Sequence, residues 1–309
     1  MKTFSIFNYP STIVWVDDDA LFLKAISRSL SKKYILKTFS NPTESLNFFK
    51  NYTPLLSSMQ FLRGCVENED YETAEHMPVD LNSAALSGIR RHPERNNEIS
   101  VIVVDYNMPG MNGLDLCREI KNLPMKKILL TGEAEYAQAV SAFNEGIIDK
   151  FIKKDNPALF TEMHTYIDTL MQQYFKDSTQ ALAAYMETDQ CRPISDPIFI
   201  SFFQNWCKEN NIREYYLMDK QGNFCVVDEE NEVSYFIVHT DETLSAFVNV
   251  YNDNEKTANL IDSVSKREKI PFFGVGNDAW QVEIEDWHSH FYIPNKLEGR
   301  EKYFWRVIK

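Results

Sequence analysis

Asp105 ends a run of four branched apolar residues, 101–104, and the chain then turns through "YNMPGMNG". A carboxylate at the end of a buried strand is costly unless a cation or hydrogen bonds offset its charge, so its position asks for a chemical use. Asp17 and Asp18 follow "TIVWV" in the same way, Thr131 closes "KKILL", and Lys153 closes "KFI". If these runs are parallel strands, their ends converge on one edge of the sheet, where ligands of such sheets bind. Three carboxylates gathered there repel one another unless a hard cation sits among them, and Mg2+ with oxygen ligands suits that place. A hydroxyl and an ammonium completing the ring suit an incoming anion with several oxygens, such as a phosphoryl group. Each residue has a plainer role when taken singly. An acidic run such as Asp17–Asp19 commonly caps a helix, and Asp19 needs no other role. A strand-end threonine is usually structural, and a strand-end lysine usually points into water. Their joint occurrence at separate strand ends favours the chemistry.

The intervening segments have the pattern needed to position these ends. "TIVWVD" is a short β-branched run, and Leu21, Phe22, Ala25, Ile26 and Leu30 then recur at helical spacing. "YILKTF" reads as a second strand. In "NPTESLNFFK", Asn41 caps a helix, Pro42 suits its first position and Glu44 lies three residues past the cap. "ISVIVVD", "KKILLTG" and "IIDKFI" read as three further strands, with "EAEYAQAVSAFNEG" and "DNPALFTEMHTYIDTLMQQYF" as helices. Five strands alternating with helices predict a parallel sheet covered on both faces.

With these elements in order, residues 10–172 resemble the receiver domain of two-component response regulators. "VDDD", "VVDYNMPGMNG", "LLTGEAE" and "DKFIKKD" carry the likeness. It implies a (βα)5 flavodoxin-like, doubly wound α/β fold and phosphorylation of Asp105 by a sensor histidine kinase. It further implies that Asp18 binds Mg2+ directly, that Asp17 assists, and that Asn107 offers its backbone carbonyl to the metal. By the same likeness Thr131 hydrogen-bonds the phosphoryl oxygen, Lys153 pairs with it, and the small Gly132 leaves room for the group to enter.

The chain departs from the family in two ways. The fifth strand usually reads aromatic-x-x-Lys-Pro, but here Lys150 and Lys154 stand at the aromatic and proline positions. The usual aromatic readout cannot occur in its normal form, and the Lys153–Lys154 peptide is expected to be trans. More than 40 residues, about 53–98, also separate the second helix from the third strand, where a few would suffice. Their apolar stretch "PLLSSMQFLRGCV" suggests an inserted helical element.

The domains expected are a receiver over 1–156, its last helix and a linker helix over 157–190, and an α+β output domain over 191–309. The linker helix could run on toward Met186. Residues 191–309 hold 20 of the chain's 41 aromatics, with 13 basic against 20 acidic residues. "REYYLMD", "NFCVVD" and "VSYFIVHT" read as strands separated by turn signals. The helix starting in "SDPIFISFFQNWCKEN" has Ser195 or Asp196 as cap. No helix-turn-helix, glycine-rich phosphate loop or paired Cys/His frame is present, and nothing marks an output enzyme. If "EDWHSHFYI" were a strand, Asp286, His288 and His290 would share one face as metal ligands could. The plainer reading is a polar face over packed Trp287 and Phe291.

Three outputs therefore stand open. A protein-interaction or homodimerisation module is favoured by acidity and aromatic content. DNA binding rests on the frequency of transcriptional regulators in the family, and a small-ligand or enzymatic output would need a pocket. The formal net charge of −13 argues against a surface built for phosphate backbones. The five cysteines show no C-x-x-C spacing, which suits reduced thiols in the cytoplasm. No run of about 18 apolar residues predicts a membrane span.

Overall fold

The computed structural model describes residues 5–58, 61–64, 79–132, 134–180, 182, 192–252, 255–274 and 279–309. The chain divides into two compact units that do not follow chain order. One comprises residues 8–59 and 92–180; the other comprises 1–7, 60–91 and 181–309.

The first unit carries five parallel strands: β1 (Thr12–Val16), β2 (Ile35–Phe39), β3 (Ile99–Asp105), β4 (Lys126–Thr131) and β5 (Lys150–Lys153). Their spatial order is β2-β1-β3-β4-β5, the flavodoxin-like order in which the strand ends flanking the switch point face a ligand. Every residue of β1 and β3 is buried. Side chains alternate across the sheet, so each strand feeds two cores. Val14, Val16, Ile102, Val104 and Leu129 pack with residues of α2 (Pro42–Lys50), α3 (Gly113–Glu119) and α4 (Tyr136–Asn144). Ile13, Trp15, Val101, Val103, Ile128, Leu130 and Ile152 pack with α1 (Ala20–Leu30) and α5 (Leu159–Ser178). The expected parallel sheet with both faces covered is therefore present.

Local chemistry sets the helix ends. Asp19 caps α1 by accepting from the Leu21 and Phe22 amides, and Asn41 caps α2 with Pro42 in the first turn. Before α5, Asn156 Oδ1 accepts from the Ala158 amide at 2.9 Å, and the helix begins at Leu159. It ends at Ser178, and most of the stretch toward Met186 lies outside the described residues. Its Tyr174 hydroxyl donates to the buried Glu98 carboxylate, which also accepts from the Leu55 amide at 2.6 Å. Glu98 thereby ties the places where the chain leaves and re-enters this unit.

The segment expected to be a helical insertion is only partly helical. A four-residue helix, Leu55–Ser58, is followed by an antiparallel pair of short strands, Leu62–Gly64 with Val79–Leu81, and by a helix, Ser83–Gly88. Pairing between Leu62 and Leu81 overrides the helical spacing of "PLLSSMQFLRGCV". Its acidic run lies outside the described residues.

The second unit is built on an antiparallel sheet. The strand Phe7–Asn8 lies beside β6 (Ile212–Leu217), followed in space by β7 (Phe224–Asp228), β8 (Val233–Thr240), β10 (Lys302–Ile308) and β9 (Asn295–Glu298). The helix α6 (Pro197–Glu209), capped by Asp196, lays Phe199 and Phe203 on one face. The Phe203 ring stacks on Phe224 at 4.4 Å and meets Phe236 edge-on at 5.1 Å. The opposite face carries Ile237 and Phe304 against α7 (Asp241–Tyr251), α8 (Ala258–Ser265), Trp287 and Phe291. The Phe61 ring lies 5.7 Å from that of Phe7, so part of the long insertion packs within this unit.

Phe203 has no exposed surface and joins α6 to β7 and β8. Phe203→Ala should cost about 3–5 kcal/mol. Urea unfolding followed by tryptophan fluorescence should show a lowered midpoint for the transition of this unit.

Candidate functional site

Asp17, Asp18 and Asp105 come together at the carboxyl ends of β1 and β3. Their carboxylate oxygens lie within 4.8 Å of one another, the one such acidic cluster among the described residues. β1 and β3 are neighbours, with Val16 opposite Val104 in register, so adjacency in the sheet brings sequence-distant acids into contact. Asp17 is fully buried, Asp105 is 4 % exposed, and Asp18 is exposed. Asp17 Oδ1 accepts from the Asp19 amide at 3.0 Å, which fixes the carboxylate at the start of α1.

The strand end bearing Asp105 is tightly held. The Tyr106 amide donates to the Leu130 carbonyl and the Gly113 amide to the Tyr106 carbonyl, each at 2.9 Å. Gly110 takes a φ of 81°, which favours glycine in the turn between them. A Cβ at Gly113 would lie 2.0 Å from the Asp105 carbonyl oxygen. Any side chain there would push β3 or α3 aside and displace the carboxylate.

Thr131 ends β4 with no exposed surface, and its hydroxyl has no hydrogen-bond partner among the described residues. Such a buried, unpartnered group is costly, and it suits a partner that arrives with a ligand. Lys153 lies opposite Thr131 across the β4–β5 ladder, with Nζ 5.3 Å from the centre of the Tyr136 ring. Asn107 is exposed, and its side-chain amide donates to Glu135 Oε1 at 2.9 Å.

The cation on the carboxylates was not expected. Lys154 places Nζ 2.9 Å from Asp17 Oδ2 and 3.0 Å from Asp105 Oδ1. Lys154 thus offsets part of the charge of Asp105 in this structure. The physical reason lies at the end of the strand: no described peptide is cis. The Lys154 amide also donates to the Thr131 carbonyl at 2.9 Å, so β5 continues its pairing one residue further. Successive side chains then diverge, one toward Tyr136 and the other past the Phe22 ring to the carboxylates.

Glu135 is the second residue that the sequence did not single out. Its Oε2 would lie 2.7 Å from a Cβ built on Gly132, so the space expected for an incoming group is lined by a carboxylate. The capping position at the start of α4 could have signalled it.

The electrostatics follow from this packing. Burial pushes the Asp105 carboxyl up to about 6 from an ordinary 3.8. Lys154 opposes that rise, while Asp17 and Asp18 add to it. Burial alone would lower Lys154, but its hydrogen bonds to Asp17 and Asp105 reverse the effect and leave it raised. Hard oxygen donors converging beside an unpartnered hydroxyl fit Mg2+, with waters completing its shell. At the other candidate metal face the structure differs. "EDWHSH" forms a 3-10 helix, Ile284–His290, instead of a strand, so Asp286, His288 and His290 do not alternate on one face. His290 Nδ1 contacts the Phe272 carbonyl, His288 Nδ1 contacts the Glu285 carbonyl, and Trp287 and Phe291 are buried.

Because the folded pKa of Asp105 is raised, this carboxyl favours the native state below about pH 4 and opposes it above about pH 6. Asp105→Asn should therefore stabilise the protein by about 1–3 kcal/mol at pH 8. The gain should shrink as pH falls from about 6 toward about 4, as measured by melting temperature across that range.

Comparison with known proteins agrees with this geometry. Residues 56–165 match the family model of the response regulator receiver domain. The solved structure of the Legionella pneumophila response regulator LqsR superposes with a TM-score of 0.76 and 28% identity, covering 100% of this chain and 90% of that one. An uncharacterized response regulatory protein of Staphylococcus epidermidis is 26% identical over 191 residues, 60% of this chain and 72% of its own length. A chemotaxis protein CheY homolog of Campylobacter jejuni is 31% identical over 72 residues, 22% of this chain and 55% of its own. The chain carries a response regulator receiver domain of flavodoxin-like fold, joined to a second, antiparallel-sheet domain.

Proposed function

We propose that Asp105 is the phosphoacceptor of a two-component system and receives its phosphoryl group from a sensor histidine kinase. The observation that carries this reading is the convergence of the Asp17, Asp18 and Asp105 carboxylates within 4.8 Å, beside the unpartnered Thr131 hydroxyl. With its pKa at about 6, Asp105 is largely ionised at neutral pH and able to act as a nucleophile. One of its oxygens attacks the phosphorus of a phosphohistidine. The O–P bond forms as the N–P bond breaks, and the departing imidazole takes a proton from water. The Thr131 hydroxyl donates to a phosphoryl oxygen, and a lysine from the end of β5 pairs with another. The family pattern assigns that second contact to Lys153.

Asp17, Asp18, Asp105 and the Asn107 backbone carbonyl are the groups that would hold Mg2+. The metal would supply neutralisation of charge on the transferring phosphoryl oxygens. Formation of the acyl phosphate draws Thr131 and the lysine inward and shifts the population of the neighbouring helix and strand. We place the protein in the cytoplasm; no helix among the described residues is long and apolar enough to cross a membrane.

The second domain passes the signal on by protein–protein contact or homodimerisation in this reading. Its excess of acidic residues disfavours nucleic acid, and Trp280, Val250 and Ile293 expose most of their apolar surface there.

Incubation with acetyl phosphate and Mg2+ should produce one acid-stable, base-labile phosphoryl label. Asp105→Asn should lose the label while keeping its circular dichroism. Label persisting in that variant would contradict the assignment. Light scattering with Mg2+ and beryllofluoride should give a dimer mass, and a monomer mass with and without the mimic would count against homodimerisation.

A further inference from the structure

A pocket of about 700 Å³ opens in the first unit beside the edge strand β2, at the amino ends of β1 and β3. That volume is ordinary for sites that hold small molecules. β3 runs from Ile99, which lines the pocket, to Asp105, so about 20 Å of strand separates it from the acidic edge. Phe48 and Tyr52 line it with their ring centres 6.3 Å apart and their planes 26° from parallel. Lys37 holds its ammonium 4.5 Å from the centre of the Phe48 ring. We propose that this pocket is a second ligand site, which takes a small aromatic carboxylate. Its ring would lie along Phe48 and Tyr52, and its carboxylate would accept from Lys37 and the Tyr52 hydroxyl. The site is independent of the chemistry at Asp105.

The hydrogen bonds of the lining groups give the ligand its sign. The acids of the pocket are already engaged. Glu98 accepts from the Tyr174 hydroxyl and from the Leu55 amide at 2.6 Å, and Glu94 accepts from the Asn97 side-chain amide. The donors are not engaged in the same way. Lys37 meets the Phe39 and Phe48 rings, and no carboxylate pairs with it among the described residues. The Tyr52 hydroxyl accepts from the Ile99 amide at 2.8 Å, and its own proton has no acceptor among the described residues. His92 Nδ1 accepts from the Glu94 amide at 3.2 Å, which leaves the ring proton on Nε2 to be donated. Donors beside occupied acids call for a ligand with acceptor oxygens. A single full cation, with the exposed Glu94 nearby, suits one negative charge and disfavours a phosphate. The paired rings beside Lys37 suit a flat aromatic body. Leu55 leads out of this unit and His92 leads back into it, so an occupant spans both crossings and stabilises the fold that brings them together.

Titration calorimetry of the full chain with sodium 2-naphthoate tests the site, with EDTA present so that no divalent cation occupies the acidic edge. Saturable binding of one molecule per chain is expected, with a rise in melting temperature at saturating ligand. Lys37→Met should weaken binding about tenfold, the worth of one charge-assisted hydrogen bond. The unmodified protein should bind 2-naphthylmethylamine, which has the same rings and the opposite charge, about tenfold or more weakly than 2-naphthoate. Trp280→Ala, at an exposed apolar residue of the other unit, should leave the binding of 2-naphthoate unchanged. If Lys37→Met loses its native circular dichroism, Lys37→Gln retains a polar tip and carries the same expectation. Absence of saturable binding, equal binding of the amine, undiminished binding by the Lys37 variants, or loss of binding in Trp280→Ala would overturn the proposal.

Discussion

The Lys154 ammonium between Asp17 and Asp105 is the interaction on which the site depends. Two buried carboxylates on adjacent strands would otherwise repel each other across a poorly screened gap. One shared cation bridges both acids in place. It also leaves the site in a resting state whose cation is exchangeable, since a salt bridge with a partly exposed lysine is easier to remodel than a sealed one. The raised pKa of Asp105 shows that the compensation is incomplete: burial still outweighs the lysine's help.

The scaffold serves that edge. Alternation along β1 and β3 fills two cores at once, so the strands cannot slip by one residue without turning every buried side chain to the wrong face. The register therefore fixes Val16 against Val104, and the acids that follow them meet. Close approach of Gly113 to the Asp105 carbonyl locks α3 onto the same strand end. At the far end of the sheet, Glu98 gathers the Tyr174 hydroxyl and the Leu55 amide, anchoring α5 and the exit of the long insertion. Burial raises the Glu98 carboxyl, although those hydrogen bonds work to lower it.

Much of the receiver was legible because its signals are local and strong. β-branched runs ending in Asp17, Asp105 and Thr131 show both the strands and the groups they carry, and Asp19 and Asn41 mark helix starts by their chemistry. Lys154 was missed because the aromatic-x-x-Lys spacing was read from Lys150; read from Phe151 it falls on Lys154, and the pairing of β5 with β4 decides between the two registers. Glu135 escaped for a similar reason, since only the folded turn brings it over Gly132. In the second domain, strand content was readable from aromatic and β-branched runs, but pairing partners were not. Phe7 beside Tyr216, and Leu62 opposite Leu81, join segments whose neighbours in sequence give no hint of them. "EDWHSH" has a strand's alternation, yet burying Trp287 against Phe273 and Phe247 favoured a tight helical turn instead.

The receiver chemistry and the second domain thus differ in how far residues alone explain them. A site defined by charge and strand ends can be argued from its groups, whereas an aromatic-rich sheet packed by helices on both faces is compatible with several outputs. The account stands or falls on which side chain carries the phosphoryl group. Reduction of the acetyl-phosphate-treated protein with borohydride, followed by peptide mass spectrometry, converts an acyl-phosphorylated aspartate to homoserine and so marks it permanently. Homoserine at position 105 and at neither 17 nor 18 is the result predicted. Homoserine at Asp17 or Asp18, or at no position despite bound Mg2+, would contradict it.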